Sequence, residues 1–170
     1  MKNCLHLPKN LSWQELLSSE EIQGWAENHR RPHKNGLLRA GVYRFIFPDK
    51  RCYLGEAGHL GNRLTRHINP HQTIVAELCP NEDNCASNCK YKVCCAVRRS
   101  IGQCLLQVLT IDGTIKLCGL TLSQNDLTNE SVRLLLESSA IHSSIDEDLR
   151  PLNYGYAWLR ANPKARLIVL

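Results

Sequence analysis

Six residues in this chain have types and spacings suited to the chemistry of a phosphodiester. Tyr43 closes the triplet Gly41-Val42-Tyr43, and Tyr53 opens Tyr53-Leu54-Gly55, with nine residues between the two phenols. Arg63 follows ten residues after Tyr53, and His67 lies one helical turn further on. Glu137 and Asn153 come much later in the chain. Hydrolysis of a phosphodiester requires that a water lose its proton, that charge on the phosphorus oxygens be stabilised and that the leaving oxygen be neutralised. The planar guanidinium of an arginine matches the geometry of a phosphate. A carboxylate can hold a divalent cation for charge stabilisation and leaving-group assistance, while tyrosine and histidine can position water and move protons.

The surrounding sequence supplies elements to carry these groups. Residues 40–47 read as a strand and 51–55 as its hairpin partner across Pro48-Asp49-Lys50. Residues 58–68 read as a helix that starts loosely at Gly58 and Gly61 and ends at Pro70. On it Leu60, Leu64 and His67 share one side, with Arg63 beside them. Asp112-Gly113 between the apolar runs 104–111 and 114–122 predicts a second hairpin. Residues 128–141 read as a helix carrying Glu137, and Pro151-Leu152-Asn153-Tyr154 as a turn. At the N-terminal end, Ser12 and Glu15 fit a capping box, and Leu11 with Leu16 fit a hydrophobic staple. That pattern predicts a helical region from about residue 11 to Asn28, broken near Ser18-Ser19.

Taken singly, each candidate has an ordinary explanation. A tyrosine is commonly a half-buried strand residue, an arginine or glutamate a solvated helix charge, and an asparagine a turn former. In combination, Gly41-Val42-Tyr43, Tyr53-Leu54-Gly55, Arg63, His67, Glu137 and Asn153 resemble the GIY-YIG nuclease family in order and spacing over residues 41–153. The block YLGEAGHLGNRLTRH is similar to the family's second strand and first helix, and LLLESSAIHSSIDEDLRPLNYG to its metal-binding helix and Pro-x-Asn turn. Val42 and Leu54 replace isoleucines of the name motif, and residues 71–99 form an insertion.

The resemblance implies an α+β fold, with a small three-stranded antiparallel sheet flanked by helices. It also implies a metal-dependent DNA endonuclease. Tyr43 would then position or deprotonate the attacking water, and Tyr53 would bond to water or to the scissile phosphate. Arg63 would bind the phosphate, and His67 would be a further proton-transfer or phosphate-contact group. Glu137 would ligate one Mg²⁺ or Mn²⁺, and Asn153 would hold the site by hydrogen bonding. A restriction-type enzyme is the first expectation. A structure-directed repair or recombination nuclease and a non-cleaving DNA-binding or protein-interaction module on the same fold are the alternatives. A double-strand cut from one active site per chain would call for a homodimer. Glu56, directly after the second motif, is either a support for the site, a brake on the local positive field or a solvated carboxylate.

Composition bounds these expectations. The 170-residue chain is long enough for one domain with a real core. We read residues 1–39 as a helical and basic extension, 40–68 and 104–156 as the core, and 71–99 as a Cys-rich insertion. The net charge of +5 is unevenly spread. The runs 29–39, 90–99 and 157–170 contain no acid, which suits a phosphate-facing surface. The runs agree with DNA as the partner that the resemblance implies, with Arg66, Lys90, Lys92, Arg98 and Arg99 as contact candidates.

Cys79, Cys85, Cys89, Cys94 and Cys95 crowd into 17 residues. Four of them, Cys79, Cys85, Cys89 and Cys94 (or Cys95 in its place), have ligand types suited to structural Zn²⁺. The lack of a C-x2-C pair leaves free thiols, disulfides or another metal centre as alternatives. Cys4, Cys52, Cys104 and Cys118 read as single packing or surface thiols. An odd count of nine cysteines and no secretory pattern at the N-terminus lead us to expect an intracellular protein with reduced thiols. With no 18-residue apolar run, no membrane partner is expected.

Overall fold

The computed structural model describes residues 7, 8, 10–69, 96, 97, 100 and 102–153. Along the chain run β1 (Leu11–Leu17), α1 (Ser19–Asn28), β2 (Gly41–Ile46), β3 (Arg51–Ala57), α2 (Leu60–Ile68) and β4 (Leu105–Ile111). Then come β5 (Thr114–Leu117), β6 (Leu120–Ser123), α3 (Glu130–Asp146) and β7 (Arg150–Pro151), with short 3-10 turns at Asn35–Leu38 and Gln124–Thr128. The architecture is α+β. A five-stranded mixed sheet has the order β1-β4-β2-β3-β7, and β5 and β6 form a separate ribbon.

At the centre of the sheet, β4, β2 and β3 are antiparallel, with Tyr43 opposite Gly55, Phe45 opposite Tyr53 and Tyr43 opposite Val108. Because strand side chains alternate, Tyr43, Phe45, Tyr53 and Gly55 share one face, and Val42, Arg44, Leu54 and Glu56 the other. The first face packs against α1 and α2 through Ile22, Trp25, Leu60, Leu64 and Ile68. The second packs against α3 through Leu136, Ala140 and Ile141. The sheet is thus sandwiched, and the two motif strands sit in its middle.

Three expectations are corrected. The segment 11–17 is a strand, not the first turns of a helix: it pairs antiparallel with β4 from Leu11–Ile111 onward. Its apolar Leu11 and Trp13 alternate with exposed Ser12 and Gln14, a period of two. A bulge between Glu15 and Leu17 then turns Leu16 and Leu17 onto the opposite face. The helix begins at Ser19 instead, where Ser18 and Glu21 form the capping box.

Asp112-Gly113 makes a turn but joins no ladder of its flanking strands. β4 spends both edges on β1 and β2, so β5 pairs with β6. The tight turn of that ribbon is Cys118-Gly119, with both residues at positive φ. The sheet is also wider than three strands, because β1 and the short parallel β7 extend it at its two ends.

Candidate active site

Tyr43, Tyr53 and His67 meet on the α2 face of the sheet. The two phenol rings are 6.3 Å apart, and the imidazole lies 6.1 Å from Tyr43 and 5.4 Å from Tyr53. Tyr43 Oη and His67 Nε2 are hydrogen-bonded at 2.9 Å. Gly55 makes this geometry possible: a Cβ there would lie 2.5 Å from both Cζ and Oη of Tyr43. The glycine of the second motif therefore serves the tyrosine of the first, across one rung of the ladder. Helix α2 sets the histidine by a local device, since the His59 side chain caps it by accepting from Asn62 N at 3.3 Å.

Arg63 lies one turn before His67, beside both phenols. Its Nε is buried and has no hydrogen-bond partner among the described residues. Burial is the main cause that raises the Tyr43 phenol well above the ordinary tyrosine range, and the nearby Tyr53 and Glu137 add to it against the opposing pull of Arg63. Tyr43 is a neutral phenol at rest, with no exposed surface, whereas Tyr53 is half-buried. Burial likewise pushes His67 down to about 3, helped by the positive charges of Arg63 and Arg66. The Tyr43–His67 pair is thus a neutral hydrogen bond in a dry pocket.

Glu137 comes from the opposite layer, on α3, and is 4% exposed. Four residues before it, on the same side of the helix, stands Arg133, also buried. Arg133 donates from Nε to Glu56 Oε2 (2.8 Å) and from Nη1 to the carbonyls of Leu127 (3.0 Å) and Thr128 (2.9 Å). This locks the start of α3 onto the end of β3. Asn153 faces the backbone of the motif strand: its Nδ2 donates to Leu54 O (2.7 Å) and its Oδ1 accepts from Leu54 N (3.4 Å). The side-chain amide imitates one more residue of β7 and closes the exposed edge of β3 beside the motif.

Beside this cluster opens a groove of about 300 Å³ lined by Glu56, Ala57, Gly58, His59, Asn62, Arg63 and Arg66. Of the sequence candidates, Tyr43, Tyr53, Arg63 and His67 come together, Glu137 is close enough to act on Tyr43, and Arg66 lines the groove. Asn153 acts at one remove, through Leu54. The zinc candidates Cys79, Cys85, Cys89, Cys94 and Cys95 and the contact candidates Lys90, Lys92, Arg98 and Arg99 lie outside the described residues. Cys52 and Cys104 are buried free thiols, as single packing cysteines would be, and Cys118 is exposed. Arg133 escaped the sequence reading, although its place four residues before Glu137 and the lone carboxylate of Glu56 were the available signals.

A single carboxylate such as Glu137 accords with the way Mg²⁺ is commonly held, by one or two carboxylates with waters and substrate phosphate completing the shell. No group of three or more His, Cys, Asp or Glu capable of holding a metal occurs among the described residues. No helix among them is long and apolar enough to cross a membrane. No family model, no curated protein and no solved structure matches this chain.

Proposed function

We propose that this protein is a metal-dependent DNA endonuclease. The observation that carries the reading is the convergence of Tyr43, Tyr53, Arg63 and His67 on one face of the sheet, with the charge of buried Glu137, in the other layer, felt at Tyr43. Arg63 has the task its chemistry suits best. Its place on the groove wall beside Arg66 sets its half-buried guanidinium next to a phosphodiester that enters there. Tyr53, which keeps solvent-facing surface, positions the water or the phosphate. Neutral His67 is hydrogen-bonded to Tyr43 at 2.9 Å, so the pair fixes a neutral phenol behind Tyr53. Glu137 would hold a divalent cation, which when bound would stabilise charge on the phosphate and the leaving oxygen. Restriction-type cutting is the leading assignment within this class, and structure-directed cutting in repair or recombination is the other.

One observation favours a second reading, a DNA-binding module that does not cut. Tyr43 has no exposed surface, so it meets no water in this conformation. Supercoiled plasmid, incubated with the protein and Mg²⁺ or Mn²⁺, decides between the readings. Nicked or linear product from the wild type, lost in Glu137→Ala, is the expected result. Intact plasmid with both proteins, under all metals and DNA forms tried, would overturn the nuclease proposal.

A further inference from the structure

The acid-free run 29–39 lies along α2. Near the C-terminal end of the helix, His29 Nδ1 is hydrogen-bonded to Asn69 Oδ1 at 2.7 Å. Near its start, Arg31 Nη1 donates to Asn62 Oδ1 at 3.3 Å, and Leu60 N donates to the carbonyl of Arg39 at 3.0 Å. Gly61 allows the close approach: a Cβ there would meet Arg31 Nη1 at 2.8 Å and Leu37 O at 3.0 Å. The backbone around Arg30 is thus fixed on both sides, and Arg30, Arg31 and Arg39 are all exposed. Lys34 turns away, to Glu21 and Leu16 O. Asn62 is shared between this segment and the groove that holds Arg63 and Arg66. The acids nearest in these contacts are engaged, Glu21 with Lys34 and Glu56 with Arg133.

We propose that Arg30, Arg31 and Arg39, with Arg66, form a backbone-gripping strip for duplex DNA alongside the groove. The choice of DNA rests on the nuclease reading; the strip itself rests on the contacts above. Nine helical residues span about 13 Å, the axial rise of about four base pairs. The strip therefore suits three or four phosphates of one strand flanking the bond in the groove. Arginine forks at this spacing engage phosphates whatever the base sequence, so the strip contributes affinity and register rather than sequence choice.

The test is the salt dependence of binding to a 30-base-pair duplex, measured in EDTA so that no metal-dependent hydrolysis intervenes. Each phosphate contact contributes roughly 0.9 to the slope of log K against log[salt]. Arg30→Gln/Arg31→Gln/Arg39→Gln should flatten that slope by about 2–3. The pair Arg30→Gln/Arg39→Gln, which spares the Arg31–Asn62 bond and so the local packing, should flatten it by about 2. Lys116→Gln, on the exposed side of β5, should leave it unchanged. A wild type that binds no duplex, or a triple variant that is folded yet keeps the wild-type slope, overturns the strip. Cleavage is scored separately. A protein that binds with the expected slopes but never cuts keeps the strip and loses the nuclease reading, and one that cuts while its triple variant keeps the slope does the reverse.

Discussion

The buried His67 should make this fold acid-sensitive by a definite amount. In the unfolded chain an imidazole titrates near 6.5, whereas in the folded protein burial against Tyr43, Tyr53 and Phe45, beside Arg63 and Arg66, holds it down to about 3. The folded state therefore refuses a proton that the unfolded state accepts. Stability from this group is complete above about pH 7 and falls as the pH drops below 6.5. The linkage relation gives a negligible cost at pH 7 and about 2 kcal/mol at pH 5. The second figure hardly depends on the folded value, provided it lies below about 4. Urea unfolding of the wild type and of His67→Gln, each at pH 7 and pH 5, isolates the term, because the other titrating groups are common to both proteins. The wild type should lose about 2 kcal/mol more than the variant over this range. NMR titration of the folded wild type should show a His67 imidazole that stays neutral down to about pH 4. Equal losses in the two proteins, or an imidazole titrating near 6, would refute the account of a dry Tyr43–His67 pair.

Other consequences can be measured in the same way. Gly55→Ala inserts a methyl 2.5 Å from the Tyr43 hydroxyl and should cost about 1–3 kcal/mol by overpacking, with a larger loss of any plasmid cleavage than of stability. Asn153→Ala strips both backbone bonds from Leu54 and should destabilise by about 2–3 kcal/mol in urea unfolding; Asn153→Asp, which loses the donor and sets a charge against Leu54 O, should be no better. Arg133→Ala leaves the Glu56 carboxylate without its partner and frees two carbonyls, at a cost of about 2–4 kcal/mol. Adding Glu56→Gln to that variant should restore part of the loss, and a double-mutant cycle that is simply additive would count against the pair.

The motif strands and α2 were legible because their signals are local. Alternating side chains and the Pro48-Asp49-Lys50 turn place Tyr43 and Tyr53 on one face, and helical spacing brings Arg63 and His67 to that face. Helix α3 carried the same kind of signal. The error at β1 has an equally physical cause. Trp13-Gln14-Glu15-Leu16-Leu17 is rich in helix formers, and Ser12 and Glu15 repeat the spacing of the capping box that actually forms at Ser18 and Glu21. Its strand state is imposed by β4, from a distance that no local window spans. The Asp112-Gly113 turn misled for a related reason, since β4 had already found partners on both sides. In the site, Arg133–Glu56 links two layers and Asn153–Leu54 two neighbouring strands, 77 and 99 residues apart in the chain, and residue type alone does not announce them.

Strand β1 also has a history during synthesis. Ser12 lies 98 residues before its partner Thr110, so at typical elongation rates β1 waits about 5–20 s for the strand it pairs with. Throughout that interval β1 has no ladder partner, while the β2–β3 hairpin and α2 can already form behind it. The ladder that finally binds β1 closes a large loop, a late and slow event by the logic of contact order. The nascent chain thus exposes the four apolar side chains of a seven-residue strand. Its safe passage depends on β4 arriving before another chain offers an edge.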